Sequence, residues 1–366
     1  MRTKSLLVPF VLAGAGAGVQ AQSSVTMYGL LDLGAGYVSK TSAGGVPGGS
    51  LTRTNTDTGA SSRLGFRGVE DLGGGLSTLF NLELGIDMRN GVAQSAASSG
   101  TTVGANAPQS FFRRASYVGL SHRNYGTLTL GRHGTAGVGP QAVNTNAIAT
   151  GFNTGVGAAV SAQGIGGDFW NSNQIRYDSP VMGGFDFIGA YAFGEAANRR
   201  RVASSGGVMA RYNAAPFQVV AAFQRDEDRL PTGKHLTWSW LSGSYTTSKL
   251  RLTTGYTRVK NDGLIAGWSS SDLLTLGARY NLTPAFSVST QLFRLKDKRV
   301  AGTKTNMAVA EVAYDLSRRT AIYLMMGYVD AGTIGITPIW GAAANAQTTV
   351  ANATNRGATA GILHRF

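Results

Sequence analysis

No cysteine occurs in the 366 residues. That excludes a disulfide framework, a thiolate nucleophile and any cysteine-based metal site. Charge is scarce as well. Asp, Glu, Lys and Arg together make up 14% of the chain, against about 25% in soluble domains, so a large water-facing surface has too little charge to cover it. Histidines are few. His122 falls in a short turn, His364 lies beside the C-terminus, and His133 and His235 sit at strand–loop borders without an obvious Ser or acid partner. No catalytic set or metal cluster follows from them, so no enzyme and no cofactor is expected. Beyond the N-terminus no apolar run approaches the ~20 residues a spanning helix needs.

What is present is glycine and a positive balance. Glycine numbers 51, about twice its usual share, and the formal net charge is +14. With 43% hydrophobic residues the chain is not a disordered basic tail. It also has no long basic run of the kind that marks a nucleic-acid binder.

The first residues read as an export leader. Arg2 and Lys4 give a positive start, Leu6 to Val19 an apolar stretch, and Val19-Gln20-Ala21 a small-residue cleavage site. Cleavage after Ala21 leaves residues 22–366 as one domain with a net charge of +12. The alternative, a membrane anchor, is disfavoured by the shortness of the apolar run.

The remainder alternates with period two, the strand signal. Met27, Gly29, Leu31, Leu33, Ala35 and Tyr37 alternate with Thr26, Tyr28, Leu30, Asp32, Gly34 and Gly36; similar patterns run through 80–88 and 185–193. Connections are alternately short and long. The short ones are 71–74, 121–125, 180–183, 213–216, 246–248, 281–284 and 315–318. The long ones are 40–60, 90–108, 134–170, 195–204, 227–234, 261–270, 297–303 and 331–355. Sixteen segments result. An even antiparallel count with short turns at one end and long loops at the other predicts an all-β, transmembrane antiparallel β-barrel of 16 strands. A soluble sandwich needs more surface charge, and a solenoid needs a fixed repeat that is not there.

Particular stretches carry a family resemblance. SSVTMYGLLDLGAGYV (23–38), SRLGFRGVEDLGGGL (62–76), FNLELGIDMRNG (80–91), YVGL (117–120), GTLTLGR (126–132), NQIRYDSP (173–180) and the terminal HRF (364–366) resemble the strands of the general porins of Gram-negative bacteria, of the β-proteobacterial type. The resemblance implies a homotrimer of outer-membrane barrels, each with its own water-filled pore, and a long third loop (134–170) folded into the lumen. It also implies that the terminal Phe366 is an assembly signal read by the barrel-assembly machinery.

In such a barrel parity decides which charges line the pore, because an Arg in mid-bilayer costs ~2–4 kcal/mol. Leu64 and Phe66 outward put Arg63 and Arg67 inward; Ile175 and Tyr177 outward put Arg176 inward; Arg211, Arg251 and Arg279 also fall on inward parity. On the family pattern Arg114 faces the lumen, with Ala115 and Tyr117 outward and Arg113 outside, unless a one-residue bulge exchanges the two arginines. Arg63, Arg114 and Arg176 are the expected constriction arginines, resembling the basic side of the family's eyelet. Glu83 is the expected carboxylate bracing them. Asp32, Asp87 and Glu311 are further inward acids. Trp238 and Trp240 share one face and read as girdle residues at headgroup height.

The third loop carries one acid, Asp168. Related cation-preferring porins place acids at this loop's tip, and this chain departs from them. The expected function is therefore a passive diffusion channel for small hydrophilic solutes and ions with a preference for anions. A solute-specific channel for phosphate or organic acids is the alternative. Outer-membrane lipids and lipopolysaccharide are the expected surroundings. Arg199-Arg200-Arg201 in the fourth loop reads as a solvated rim that draws in anions rather than as an adhesion site.

Overall fold

A computed structural model describes residues 24–41, 48–94, 111–151, 169–194, 197–228, 230–263, 270–297, 304–330 and 353–366. The expected leader and the acid at 168 lie outside these residues. The first strands are β1 (Ser24–Thr41), β2 (Gly49–Thr56), β3 (Arg63–Gly73), β4 (Leu76–Asp87), β5 (Val92–Ala93), β6 (Ala115–His122) and β7 (Gly126–Gly134). A short helix, α1 (Val138–Thr145), follows. The chain then continues through β8 (Trp170–Asp178), β9 (Phe185–Ala192), β10 (Ser205–Ala214), β11 (Phe217–Glu227), β12 (His235–Thr246) and β13 (Leu250–Asp262). It ends with β14 (Ser270–Asn281), β15 (Phe286–Asp297), β16 (Lys304–Asp315), β17 (Thr320–Asp330) and β18 (Thr354–Arg365).

Eighteen described strands make sixteen staves. β2 and β3 both pair with β1, along residues 33–41 and 24–30 respectively, so they form one interrupted stave. β5 and β6 do the same against β4. Each stave pairs antiparallel with its neighbours, and β1 pairs with β18 from Leu30↔Arg365 to Val38↔Gly357, which closes the barrel. Closure leaves no unpaired edge, as lipid requires.

The seven short turns fall where expected. The first is made by Gly73, Gly74 and Gly75, all at positive φ (85, 62 and 85°), a conformation glycine adopts without penalty. Two of the expected long connections are shorter than they looked. The 40–60 stretch contains β2, whose polar sequence Leu-Thr-Arg-Thr-Asn-Thr hid its alternation, and the 90–108 stretch contains β5.

The two faces separate by parity. Phe223, Leu241, Tyr256, Leu274 and Leu292 are exposed on the outside, whereas Gln224, Ser242, Thr257, Thr275 and Gln291 are buried inside. Two sequence expectations fail here. Trp238 and Trp240 are not girdle residues. They face inward, 2% and 4% exposed, with rings 5.8 Å apart. Trp240 packs beneath Gly137, at the N-terminal end of α1, so an apolar pair on the inner wall forms the seat of the loop. Ala115 and Tyr117 likewise point inward, in register with Glu83 and Asn81, while Val118 and Leu120 are 55% and 50% exposed.

The cysteine-free background makes this sidedness testable. A single Arg67→Cys in native membranes should react fully with a charged, water-soluble thiol reagent, because Arg67 is exposed on the luminal face of β3. Phe223→Cys, facing lipid, should stay unmodified until detergent is added.

Candidate pore constriction

The inserted segment begins where β7 ends. Pro140 lies in the first turn of α1, where its missing N–H costs nothing. Beyond it the chain runs along the inner wall. The Asn144 amide bonds the hydroxyls of Ser242 (2.7 Å) and Ser244 (2.8 Å), and the Thr253 hydroxyl donates to the Thr145 carbonyl at 2.8 Å. The Ala147 N–H donates to Gln291 Oε1 at 2.9 Å. Arg251 donates to the carbonyls of Val143, Asn144 and Asn146 at 3.0–3.3 Å, satisfying the acceptors that a helix C-terminus leaves open.

Two buried carboxylates fasten the far end. Glu311 accepts from the Ala149 N–H at 2.6 Å, the Thr150 N–H at 3.3 Å, the Thr150 hydroxyl and the Ser289 hydroxyl at 3.0 Å. Asp32 accepts from the N–H groups of Gly59 (2.6 Å) and Ala60 (2.9 Å) and from the Tyr323 hydroxyl (2.6 Å). The two N–H donors belong to an inward knuckle, residues 57–62, between β2 and β3, and Tyr323 reaches in from β17. The knuckle meets the loop so closely that a Cβ on Gly151 would lie 2.1 Å from the Gly59 carbonyl oxygen. Burying these carboxylates is tolerable only because their oxygens are filled by donors.

The described part of the loop, residues 134–151, thus occupies the β11–β16 side of the lumen, across from the β3–β6 wall. There Glu83 sits between two arginines. Arg114 Nε donates to its Oε1, and Arg63 Nε lies 3.6 Å from its Oε2. The Tyr28 hydroxyl is 2.9 Å from both Glu83 Oε2 and Asn81 Oδ1. Arg67 stacks on the Tyr28 ring at 5.3 Å, and Arg114 lies 5.2 Å above the Trp170 ring.

Arg113 also turns inward. It donates to Gln94 Oε1, and the Gln94 amide donates to Asp57 Oδ2 at 2.6 Å. The expected choice between Arg113 and Arg114 is therefore false: residues 111–114 form a turn, not strand, and parity does not apply to them. Arg176 stands apart from this group. Its guanidinium grips Asp178 at 2.6 and 2.7 Å and the Gly134 carbonyl at 2.9 Å, so its charge is compensated and it pins the start of the loop.

The other inward groups sort in the same way. Arg211 pairs with Asp186 at 2.9 Å, and Asp87 with Arg89 of the following turn. Arg251 and Arg279 face each other on β13 and β14 without a carboxylate. Phe366 closes the barrel, its backbone bonded both ways to Gly29 at 3.0 and 3.2 Å. Tyr28 could have been found in the sequence, on the same parity as Asp32. Asp57, Gln94 and Tyr323 gave no such signal, since their partners lie on distant segments.

A closed transmembrane barrel of sixteen staves with a loop tied into its lumen is a pore protein. The chain belongs to the Gram-negative porin family, whose match covers residues 8–333, and it is a channel of the outer membrane. It is 30% identical to outer membrane porin protein 32 of Delftia acidovorans over 99% of either chain. It is 27% identical to an outer membrane porin protein of Bordetella pertussis, over 89% of this chain and 94% of that one. Among solved structures it is similar to the anion-selective porin from Comamonas acidovorans, with 26% identity, a TM-score of 0.74 and coverage of 94% of this chain and 100% of that one.

Glu311→Gln should loosen the loop. The amide has one acceptor oxygen where the carboxylate offers two, and losing charge-assisted bonds of this kind costs about 2 kcal/mol. Single-channel records should then show brief closures at least about tenfold more often than in the wild type, the factor that 1.4 kcal/mol represents. Unchanged open-channel noise would remove the anchoring role.

Proposed function

We propose that the barrel passes small hydrophilic solutes and ions passively, prefers anions, and works as a homotrimer. One observation carries the anion preference: Arg63 and Arg114 share a single carboxylate, Glu83, with Arg113 beside them. The loop segment facing them, residues 134–151, has no charged residue at all. Excess positive charge therefore stands at the narrowing with no acid on the described part of the loop to oppose it. Arginine suits the place because crowding by like charge does not discharge it.

A unit charge 4 Å from a passing ion contributes ~1 kcal/mol in water and ~4 kcal/mol at an effective dielectric of ~20. A narrow pore lies between these limits and focuses the field. One to two net charges thus favour anions over cations by roughly tenfold, since 1.4 kcal/mol is a factor of ten.

The trimer rests on family membership. The outer faces of β16, β18 and β1 support it, since Ala308, Ala310, Ala358, Ala360 and Ala35 there let a second barrel approach closely. At the long-loop end Arg294, Lys296 and Lys304 point outward, where lipopolysaccharide phosphates would meet them. Phe366 ends the lipid-facing row of His364 and Ile362, a position open to the assembly machinery before closure.

Reversal potentials across planar bilayers in a KCl gradient test the anion preference. Anion selectivity of roughly tenfold is expected at 0.1 M, falling toward unity at 1 M as the Debye length shrinks from ~10 to ~3 Å. Arg63→Ala or Arg114→Ala should lower it severalfold, and Arg199→Ala on the exposed rim should alter it little. A cation preference in the wild type would sink the proposal.

A further inference from the structure

Most inward arginines of the barrel have an acid or an aromatic ring. Arg63 and Arg114 have Glu83, Arg176 has Asp178, Arg211 has Asp186, and Arg67 lies on Tyr28. Arg251 and Arg279 differ. They are direct cross-strand partners, which places like charges side by side, an arrangement that destabilises a sheet. Arg251 spends its donors on loop carbonyls and on the Thr246 hydroxyl at 3.0 Å. The Arg279 side chain has no hydrogen bond or ion pair among the described residues, and its Nε is shut off from water without an acceptor. The inward carboxylate nearest along this row is Glu311, two strands further round through Ser289. That is about 10 Å away at the usual strand spacing, and its oxygens are taken by Ala149, Thr150 and Ser289.

The pair has a defined height. In the row above it, Thr253, Gly277 and Gln291 carry the loop at Thr145 and Ala147. Below it are the short turns 247–249 and 282–285. Arg251 and Arg279 are both half-buried, so they stand between the loop and the short-turn mouth and remain open to the lumen.

We propose that Arg251 and Arg279 form an anion-binding station on the periplasmic side of the constriction, suited to phosphate-type oxyanions. The terminal nitrogens of Arg279 are without an acceptor among the described residues, and with the charge of Arg251 beside them they match the oxygens of such a group. A bound oxyanion cancels the like-charge repulsion and gives the terminal nitrogens of Arg279 the acceptors they lack. The station extends the anion-channel reading from selectivity at the eyelet to capture of a particular solute class below it, and it rests on that reading.

Chloride current through the purified wild-type channel in planar bilayers, with inorganic phosphate added to one compartment at a time, tests it. Phosphate should reduce the current more strongly from one side than from the other. In R279Q the half-blocking concentration from that side should rise at least about fivefold, the loss expected for one charge-assisted contact. R279K, which keeps the charge but not the fork, should fall between the two and serves if R279Q does not reach the membrane. Absence of phosphate block in the wild type, or a half-blocking concentration in R279Q within twofold of the wild type, overturns the station. A cation-selective reversal potential in the same wild-type membranes would overturn the anion reading itself, so the two failures are distinct.

Discussion

Inside hydrocarbon no water is available to a backbone N–H or C=O, and each must find its partner within the protein. The pairing of β1 with β18 is the contact on which everything else here depends. Without it two edges would stand open in lipid. With it every stave has two neighbours, the pleat assigns alternate side chains to lipid and lumen, and the parity of each arginine acquires a meaning. The mutual backbone bonds of Gly29 and Phe366 finish that closure at the chain's last residue.

Closure makes a tube, and a sixteen-stave tube is wide; the loop makes it a filter. The loop is held by polar contacts that would be costly if left unmade. Glu311 and Asp32 are buried carboxylates, and each is filled by donors from segments far away in sequence. Trp238 and Trp240 supply an apolar seat from below. The described part of the loop therefore lies on the β11–β16 wall, across from Arg63, Arg114 and Glu83. Residues 134–151, which lie on that wall, carry no charge of their own.

The legible part of this protein was the part governed by period two. Met27 to Tyr37, the seven turns and the inward parity of Arg63, Glu83, Arg211, Arg251, Arg279 and Glu311 could be read because side-chain direction in a strand depends only on residue count. Where the chain leaves strand geometry, counting fails. Residues 111–114 form a turn, so both Arg113 and Arg114 reach the lumen and the expected facing of Ala115 and Tyr117 was reversed. Trp238 and Trp240 were correctly placed on one shared face, but hydrophobicity alone chose the wrong one, because a loop sixty to a hundred residues away covers them from inside.

The amino-acid sequence by itself determined the architecture: low charge, abundant glycine, alternation and the short–long rhythm of connections admit a closed barrel and little else. Only the tertiary structure decided which charges count. Arg176 and Arg63 look alike in sequence, yet one is neutralised by Asp178 and the loop's first carbonyl while the other shares its acid with Arg114. Charge is a property of a residue, but compensation is a property of distance. Distances across a lumen are set by closure and by where a loop comes to rest.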